Sequence, residues 1–352
     1  MTCYHPYKGF VLGIKQNGKK DIKVCSYDTE YVYKNSSGLY VPCNIPYDNI
    51  GARHYPAFTE FEPIQCGQCI GCRIAKSKDW AARMMCELQS EPERPACFLT
   101  LTYDDFNVPQ SEYVDQQTGE ILNSSTLVKS DFQKFMKRLR YYYPDVNIRY
   151  YACGEYGSQT YRPHYHAIIY GLDFSNDRQF FKLSRDGFPC YISDKLSKIW
   201  TYGFHMICDV SWNTCAYVAR YVTKKATGLH KDFYNYLNIE PEFSVMSLKP
   251  ALGKKYYDEH KAEIFQNGEL FFTTLKGAMK SKPPRYFEQL YEIEYPEKLQ
   301  ELKEQRIRAA ELIQEQKLAK TSLSLPELLE VEEHNFIART KKLKRGDLDG
   351  VS

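Results

Sequence analysis

The feature that most constrains the fold is Arg162-Pro163-His164-Tyr165-His166-Ala167-Ile168-Ile169, a β-forming run with two histidines two residues apart. Side chains of a strand alternate faces, so His164 and His166 point the same way. That makes a two-imidazole metal site at the start of a strand. Upstream, residues 147–153 read as a second strand, followed by Gly154-Glu155-Tyr156-Gly157 as a turn. The two strands are expected to pair antiparallel, and Glu155, on the turn, can swing across as a third ligand. Two imidazoles and one carboxylate on a divalent ion leave positions open for water and phosphate oxygens. Mixed nitrogen and oxygen ligands suit Mn²⁺, and cellular supply favours Mg²⁺.

Around this pair the pattern predicts an α+β domain with a mainly antiparallel sheet flanked by helices, in the order β-α-β-β-α-β-α. Residues 98–103 alternate as a strand, and 108–125 read as an exposed loop or hairpin. Ser130 is expected to cap a helix striped with Phe132, Phe135, Met136 and Leu139 beside Lys137, Arg138 and Arg140. Ser193 begins a short helix to Trp200, residues 204–210 form a strand, and Asn213 or Thr214 caps a further helix. The expected domains are a cysteine-rich N-terminal segment with a helix (1–95), the α+β core (96–230) and a C-terminal extension (231–352). The extension carries an amphipathic helix over 296–320 and a basic tail, Arg339 to Arg345.

Tyr217-Val218-Ala219-Arg220-Tyr221-Val222-Thr223-Lys224 is helix-compatible, with its tyrosines four apart on one face and Lys224 three beyond Tyr221. Cys215, Val218 and Val222 supply the apolar stripe, which leaves the tyrosine face free. A phenol is a poor nucleophile at neutral pH and needs help. A metal that polarises a phosphate supplies it, and Lys224 can stabilise developing negative charge. Two tyrosines allow two successive transesterifications without water. Metal and tyrosines together make the parts of a DNA nickase.

Cys66-Gly67-Gln68-Cys69-Ile70-Gly71-Cys72 reads as a metal knuckle running into a helix over 74–88. An iron–sulfur cluster is disfavoured because Lys76 stands where a ferredoxin run needs its fourth cysteine. Structural zinc requires four ligands, so Cys66, Cys69 and Cys72 need one more. Cys43 and His5 are candidates.

The ordered set resembles the two-tyrosine branch of the HUH endonucleases that start rolling-circle replication. The strand 98–103 followed by Asp104-Asp105, the histidine pair and the Tyr-x-x-x-Tyr-x-x-Lys run carry that likeness. Cys66 to Arg73, Cys153 to Gly157 and Pro283-Pro284-Arg285-Tyr286 narrow it to initiators of gokushovirus-type microviruses, small single-stranded DNA phages. The likeness runs from Cys3 to about Arg306, and one segment departs, with Pro250-Ala251-Leu252-Gly253 where Pro-Gly-Ile-Gly is usual. It implies Cys3 as the fourth zinc ligand. It also implies catalytic Tyr217, Tyr221 and Lys224, a 5′-phosphotyrosyl intermediate, and a free 3′-hydroxyl. The implied partners are phage single-stranded or replicative-form DNA and a host helicase and polymerase, in the bacterial cytoplasm. The rival expectations are an HUH relaxase or single-strand transposase, and a non-catalytic zinc-dependent DNA-binding regulator.

Composition agrees without deciding. The net charge of +3 is too small to argue nucleic-acid binding from balance, so a DNA face must come from uneven placement of Lys and Arg. Thirty tyrosines suit platforms for unpaired bases. Twelve cysteines in a chain with no export signal at Met1-Thr2-Cys3-Tyr4 are expected to be reduced, some binding metal. No apolar run approaches the roughly 20 residues that span a bilayer, so no membrane partner is expected.

Overall fold

The computed structural model describes residues 3–16, 18, 20–45, 57–157, 160–184, 187–220, 229–274 and 277–341. The chain packs as two compact units, residues 1–75 with 308–344, and residues 76–307 with 345–352. Each is described by itself.

In the first unit, β1 (Tyr7–Ile14) pairs antiparallel with β2 (Lys20–Cys25), and β3 (Tyr31–Lys34) with β4 (Tyr40–Cys43). β5 (Ala57–Phe58) pairs with β3, and β6 (Phe61–Ile64) pairs with β1. Phe10, Cys25 and Val32 form its small apolar core. Helix α1 (Ile70–Gln89) starts in this unit and continues into the next.

The second unit is built on β7 (Ala96–Tyr103), β10 (Arg149–Tyr156), β11 (Pro163–Tyr170), β12 (Arg178–Leu183), β13 (Pro189–Ser193), β14 (Gly203–Asp209) and β15 (Phe243–Met246). They form one seven-stranded sheet, β12-β13-β14-β7-β11-β10-β15, and each neighbouring pair is antiparallel. All eight residues of β11 are buried, as befits the strand with two layers of helices over it. One face packs α1, α4 (Trp212–Arg220), α6 (Lys254–Asn267) and α7 (Arg285–Glu294) on Phe98, Tyr151, Cys153 and Ile168. The other packs α2 (Lys129–Tyr142) and α3 (Asp194–Ile199) on Leu99, Leu101, Tyr165 and Ala167. Strands β8 (Gln110–Val114) and β9 (Ile121–Ser125) form a separate hairpin, as do β16 (Leu270–Thr274) and β17 (Gly277–Ser281). Helix α5 is Leu229–Tyr236. Helix α8 (Pro296–Leu318) buries Leu299, and α9 (Leu325–Lys341) belongs to the first unit. No helix of the described residues is long and apolar enough to cross a membrane.

The structure departs from the sequence reading in four places. Helix α2 starts at Lys129 with Val128 in the cap position and no side-chain cap, so Ser130 does not cap it. The Tyr165 hydroxyl instead holds both Val128 groups, accepting from its N–H at 3.2 Å and donating to its carbonyl at 2.9 Å. A serine cap is worth about 1 kcal/mol, whereas burying Phe132 and Phe135 contributes about 1.5–3 kcal/mol each, so packing sets the helix start. Helix α4 is capped by Ser211, not Asn213: Thr214 N donates to Ser211 Oγ and Ser211 N to Thr214 Oγ1, a reciprocal box. The hairpin β12–β13 interrupts the expected element order. Finally, Gly154-Glu155-Tyr156 is strand rather than turn, because β10 is paired on both edges there, Gly154 opposite Tyr165 and Phe243. A Cβ on Gly154 would sit 2.9 Å from the Phe243 ring, so this glycine makes room for a neighbour.

Buried His205 on β14 accepts a hydrogen bond from Ser193 N at 2.9 Å through Nε2, and burial pulls its pKa down to about 4. The folded state thus binds fewer protons than the unfolded state between pH 6.5 and about 4. Its contribution is complete above 6.5 and is lost as pH falls through that window, by roughly 3 kcal/mol. Thermal melts from pH 7 to 4 should show this loss, and His205→Gln should flatten it. A parallel fall in both proteins would refute the assignment.

Candidate functional site

Strand pairing assembles the first cluster. Glu155 lies opposite His164 and Cys153 opposite His166, while His166 faces Thr100 across β7. With period two, Glu155, His164, His166 and Thr100 share the sheet face under α4. Nε2 of His164 is 3.0 Å and Nε2 of His166 2.8 Å from one oxygen of Glu155. The cluster is nearly closed to solvent, Glu155 2% exposed and His166 0%.

The outer ring nitrogens are also held. His164 Nδ1 is 3.0 Å from the Arg162 carbonyl, which can only accept, so that nitrogen carries a proton. In neutral His164, Nε2 therefore turns a lone pair toward the cluster. His166 Nδ1 meets Thr100 Oγ1 at 3.1 Å, and the Phe98 ring stacks on the imidazole at 5.4 Å and 8°. Burial raises the Glu155 carboxyl, but hydrogen bonds from His164 and His166 outweigh it and hold it down at about 2. An ionised buried carboxylate facing imidazole lone pairs is the donor set of a divalent cation, and all three ligand atoms lie within 4.8 Å of one another. Mn²⁺ and Mg²⁺ both fit that chemistry.

Helix α4 buries Cys215, Val218 and Ala219, which turns Tyr217 to the cluster. Its hydroxyl donates to Glu155 Oε1 at 3.2 Å and lies 3.5 Å from His166 Nε2, with its ring edge-on to that imidazole. Tyr221 and Lys224 lie outside the described residues. Arg220 ends α4 exposed, whereas Lys137, Arg138 and Arg140 sit on α2, over the opposite sheet face. Thr100 and Phe98 were not singled out from the sequence. The available signal was the alternation of β7, which puts both on the histidine face.

The second cluster belongs to the first unit. Pairing of β1 with β6, Tyr7 opposite Ile64, brings Cys3 beside Cys66, and the knuckle adds Cys69 and Cys72. Four sulfurs lie within 4.8 Å of one another, two of the separations being 4.0 Å. A tetrahedral zinc with bonds of about 2.3 Å sets sulfurs about 3.8 Å apart, so the set fits. Cys43 is not in this group, and His5 pairs with Glu333 of α9 instead. Backbone N–H groups point at the sulfurs, Cys66 N at Cys3, Cys69 N at Cys66 and Tyr4 N at Cys69. Burial raises the Cys69 thiol, but the N–H donors of Cys72 and Tyr4 bring it down to about 7, while burial pushes Cys3 and Cys72 up.

Residues 96–226 match the family model for the replication-associated protein ORF2. The replication-associated protein ORF2 of Spiroplasma virus 4 is 31% identical over 294 residues, covering 81% of this chain and 87% of the relative. The chain belongs to the microvirus replication-associated proteins. Family members in Bdellovibrio phage phiMH2K (protein VP4) and Chlamydia phage 1 (protein ORF4) are 29% and 26% identical. They cover 67% and 65% of the chain and 70% and 53% of their own lengths. No solved structure matches. The family match spans β7 through α4, the elements that carry the first cluster.

Two outcomes are expected. Thr100→Val should lower affinity for Mn²⁺ by about 10–100-fold in calorimetry, the usual cost of losing a ligand-orienting contact; unchanged affinity would remove Thr100 from the site. Cys69→Ser should lower the melting temperature and the zinc content from about one per chain, because structural zinc binding is coupled to folding. A zinc-free preparation that melts normally would exclude that role.

Proposed function

We propose that the chain is a rolling-circle replication initiator that cuts single-stranded or origin DNA by tyrosine transesterification, as a two-tyrosine HUH endonuclease with its core over 96–230. The observation that carries this is the Tyr217 hydroxyl, held 3.2 Å from the carboxylate of a buried Glu-His-His cluster. Family membership supports the replication role.

Glu155, His164 and His166 would hold Mg²⁺ or Mn²⁺, which when bound withdraws charge from a phosphate. The hydrogen bond to Glu155 Oε1 orients the Tyr217 oxygen, and burial of the ligands excludes water that would compete for the phosphodiester. The Tyr217 oxygen forms a bond to phosphorus as the bond from phosphorus to the 3′-oxygen breaks. A 5′-phosphotyrosyl link and a 3′-hydroxyl result, and a host polymerase can extend the latter. Tyr221 is one helical turn on, ~5.4 Å along an α-helix, and is assigned the second cleavage at termination. Lys224 is assigned the stabilisation of developing charge. Cys3, Cys66, Cys69 and Cys72 are assigned structural zinc. The partners are phage DNA and a host helicase and polymerase, within the bacterial host cell. A zinc-dependent regulator would account for the cysteines but leave the buried Glu155 cluster without a purpose.

Incubation with single-stranded origin oligonucleotides and Mn²⁺, followed by a denaturing gel, tests this. Wild type should form a covalent adduct, reversibly suppressed by EDTA. Tyr217→Phe and Tyr221→Phe should each retain some nicking but release no unit-length circles, and the double variant should form no adduct. Cleavage by His164→Ala/His166→Ala without metal would sink the assignment.

A further inference from the structure

Just before the metal-cluster strand, the chain holds a tyrosine in an unfavourable backbone conformation with its ring in solvent. Tyr161 has φ 53°, the left-handed region that suits glycine or asparagine and strains a bulky side chain. The conformation is enforced locally. Tyr161 N donates to the Gly157 carbonyl at 3.0 Å, and Gly157 N to the Arg162 carbonyl at 3.0 Å. Arg162 is itself pinned to β7 by Nε and Nη2 on the Tyr103 carbonyl, at 3.1 and 2.8 Å. That same Arg162 carbonyl receives His164 Nδ1. Tyr161 is thus rigidly coupled to a candidate metal ligand three residues on, at most about 11 Å away along the chain.

The strain secures no burial, since Tyr161 is 58% exposed. Its ring lies instead beside Phe233 of α5, itself 42% exposed, with centroids 6.2 Å apart. Phe233 abuts Tyr234, and Tyr234 packs on Tyr156, the neighbour of Glu155. An aromatic line therefore runs from the strand that carries Glu155 out to two solvent-facing rings. Two exposed rings held by a strained loop beside a phosphodiester site offer flat apolar faces to something planar. In a nucleic-acid substrate the planar groups nearest a phosphate are its own bases, and only unpaired bases present their faces.

We propose that Tyr161 and Phe233 form a stacking platform for an unpaired base flanking the cleaved phosphate. This rests on the nicking reading for the identity of the substrate and adds the residues that select single-stranded over paired DNA. Stacking is tolerant of base identity, so the platform contributes strand selection rather than sequence choice.

The test uses full-length protein in EDTA, which separates binding from cleavage, with fluorescein-labelled oligo-dT and a blunt duplex as probes in anisotropy titrations. Tyr161→Ala and Phe233→Ala should each weaken oligo-dT binding roughly tenfold, the loss expected when a base loses an aromatic partner. Tyr161→Phe, which keeps the ring, should bind as wild type, and duplex affinity should be unchanged in all three. Adduct formation is scored separately in Mn²⁺. If adducts form but both alanine variants bind oligo-dT like wild type, the platform is overturned and the nicking reading stands. If no protein forms adducts while the alanine variants still lose oligo-dT binding selectively, the platform stands and the nicking reading falls. An equal loss on oligo-dT and duplex would also overturn the platform, because it would mark a general surface effect.

Discussion

The pairing of β10 with β11 is the constraint on which the candidate site depends. Glu155 faces His164 only in the register that sets Arg149 opposite Tyr170 and Tyr156 opposite Pro163. A slip of one residue would turn both histidines to the α2 face, among Leu99, Leu101, Phe132 and Phe135. It would also set Ile168 and Cys153 out of step with the other core. Both faces of β11 are buried, so a slip is penalised on both sides, and the register is specified more firmly than in a sheet with one wet face. The metal-cluster geometry is thus inherited from apolar packing, not built by the polar groups themselves.

Those polar groups are costly where they lie. Removing an ionised carboxylate from water costs several kcal/mol unless charge and hydrogen bonds compensate. Glu155 is compensated by two imidazoles and the Tyr217 hydroxyl, and each imidazole is steadied from behind by the Arg162 carbonyl or Thr100. The cysteine cluster repeats the construction in the other unit, with buried sulfurs answered by backbone N–H donors. In both clusters an antiparallel pair joins residues that the chain separates, nine apart for Glu155 and His164 and sixty-three for Cys3 and Cys66. The two differ in closure. Four sulfurs complete a tetrahedral zinc, whereas two nitrogens and a carboxylate leave room for substrate oxygens.

A buried network elsewhere holds the helices that frame the site. Glu87 of α1 pairs with Arg149 at the start of β10 and accepts from Gly253 N at the start of α6. Gly253 has φ 77°, and a Cβ there would crowd the Arg83 carbonyl and the Phe287 ring at 3.2 Å, so a side chain is excluded by backbone and space together. The glycine that ends the departing segment Pro250-Ala251-Leu252-Gly253 is therefore explained by this junction.

What the sequence determined by itself was local. Alternation placed His164 and His166 on one face, and helical spacing turned Tyr217 away from the stripe of Cys215 and Val218. The cysteine spacing marked a knuckle. Each follows from backbone geometry repeated over a few residues, which needs no partner to operate. Tertiary structure decided the rest. It made Glu155 part of a strand, because pairing with both β11 and β15 extends β10 past the glycine that reads as a turn. It started α2 at Lys129 through the Tyr165 hydroxyl, thirty-seven residues along the chain from the Val128 groups it holds. From three candidates it brought Cys3 to the knuckle, through the β1–β6 pairing. Thr100 and Phe98 became neighbours of His166 only when β7 was laid beside β11. Those outcomes turn on which strands pair and in what register, and register is set by burial summed over a whole sheet, a quantity no short window of sequence contains.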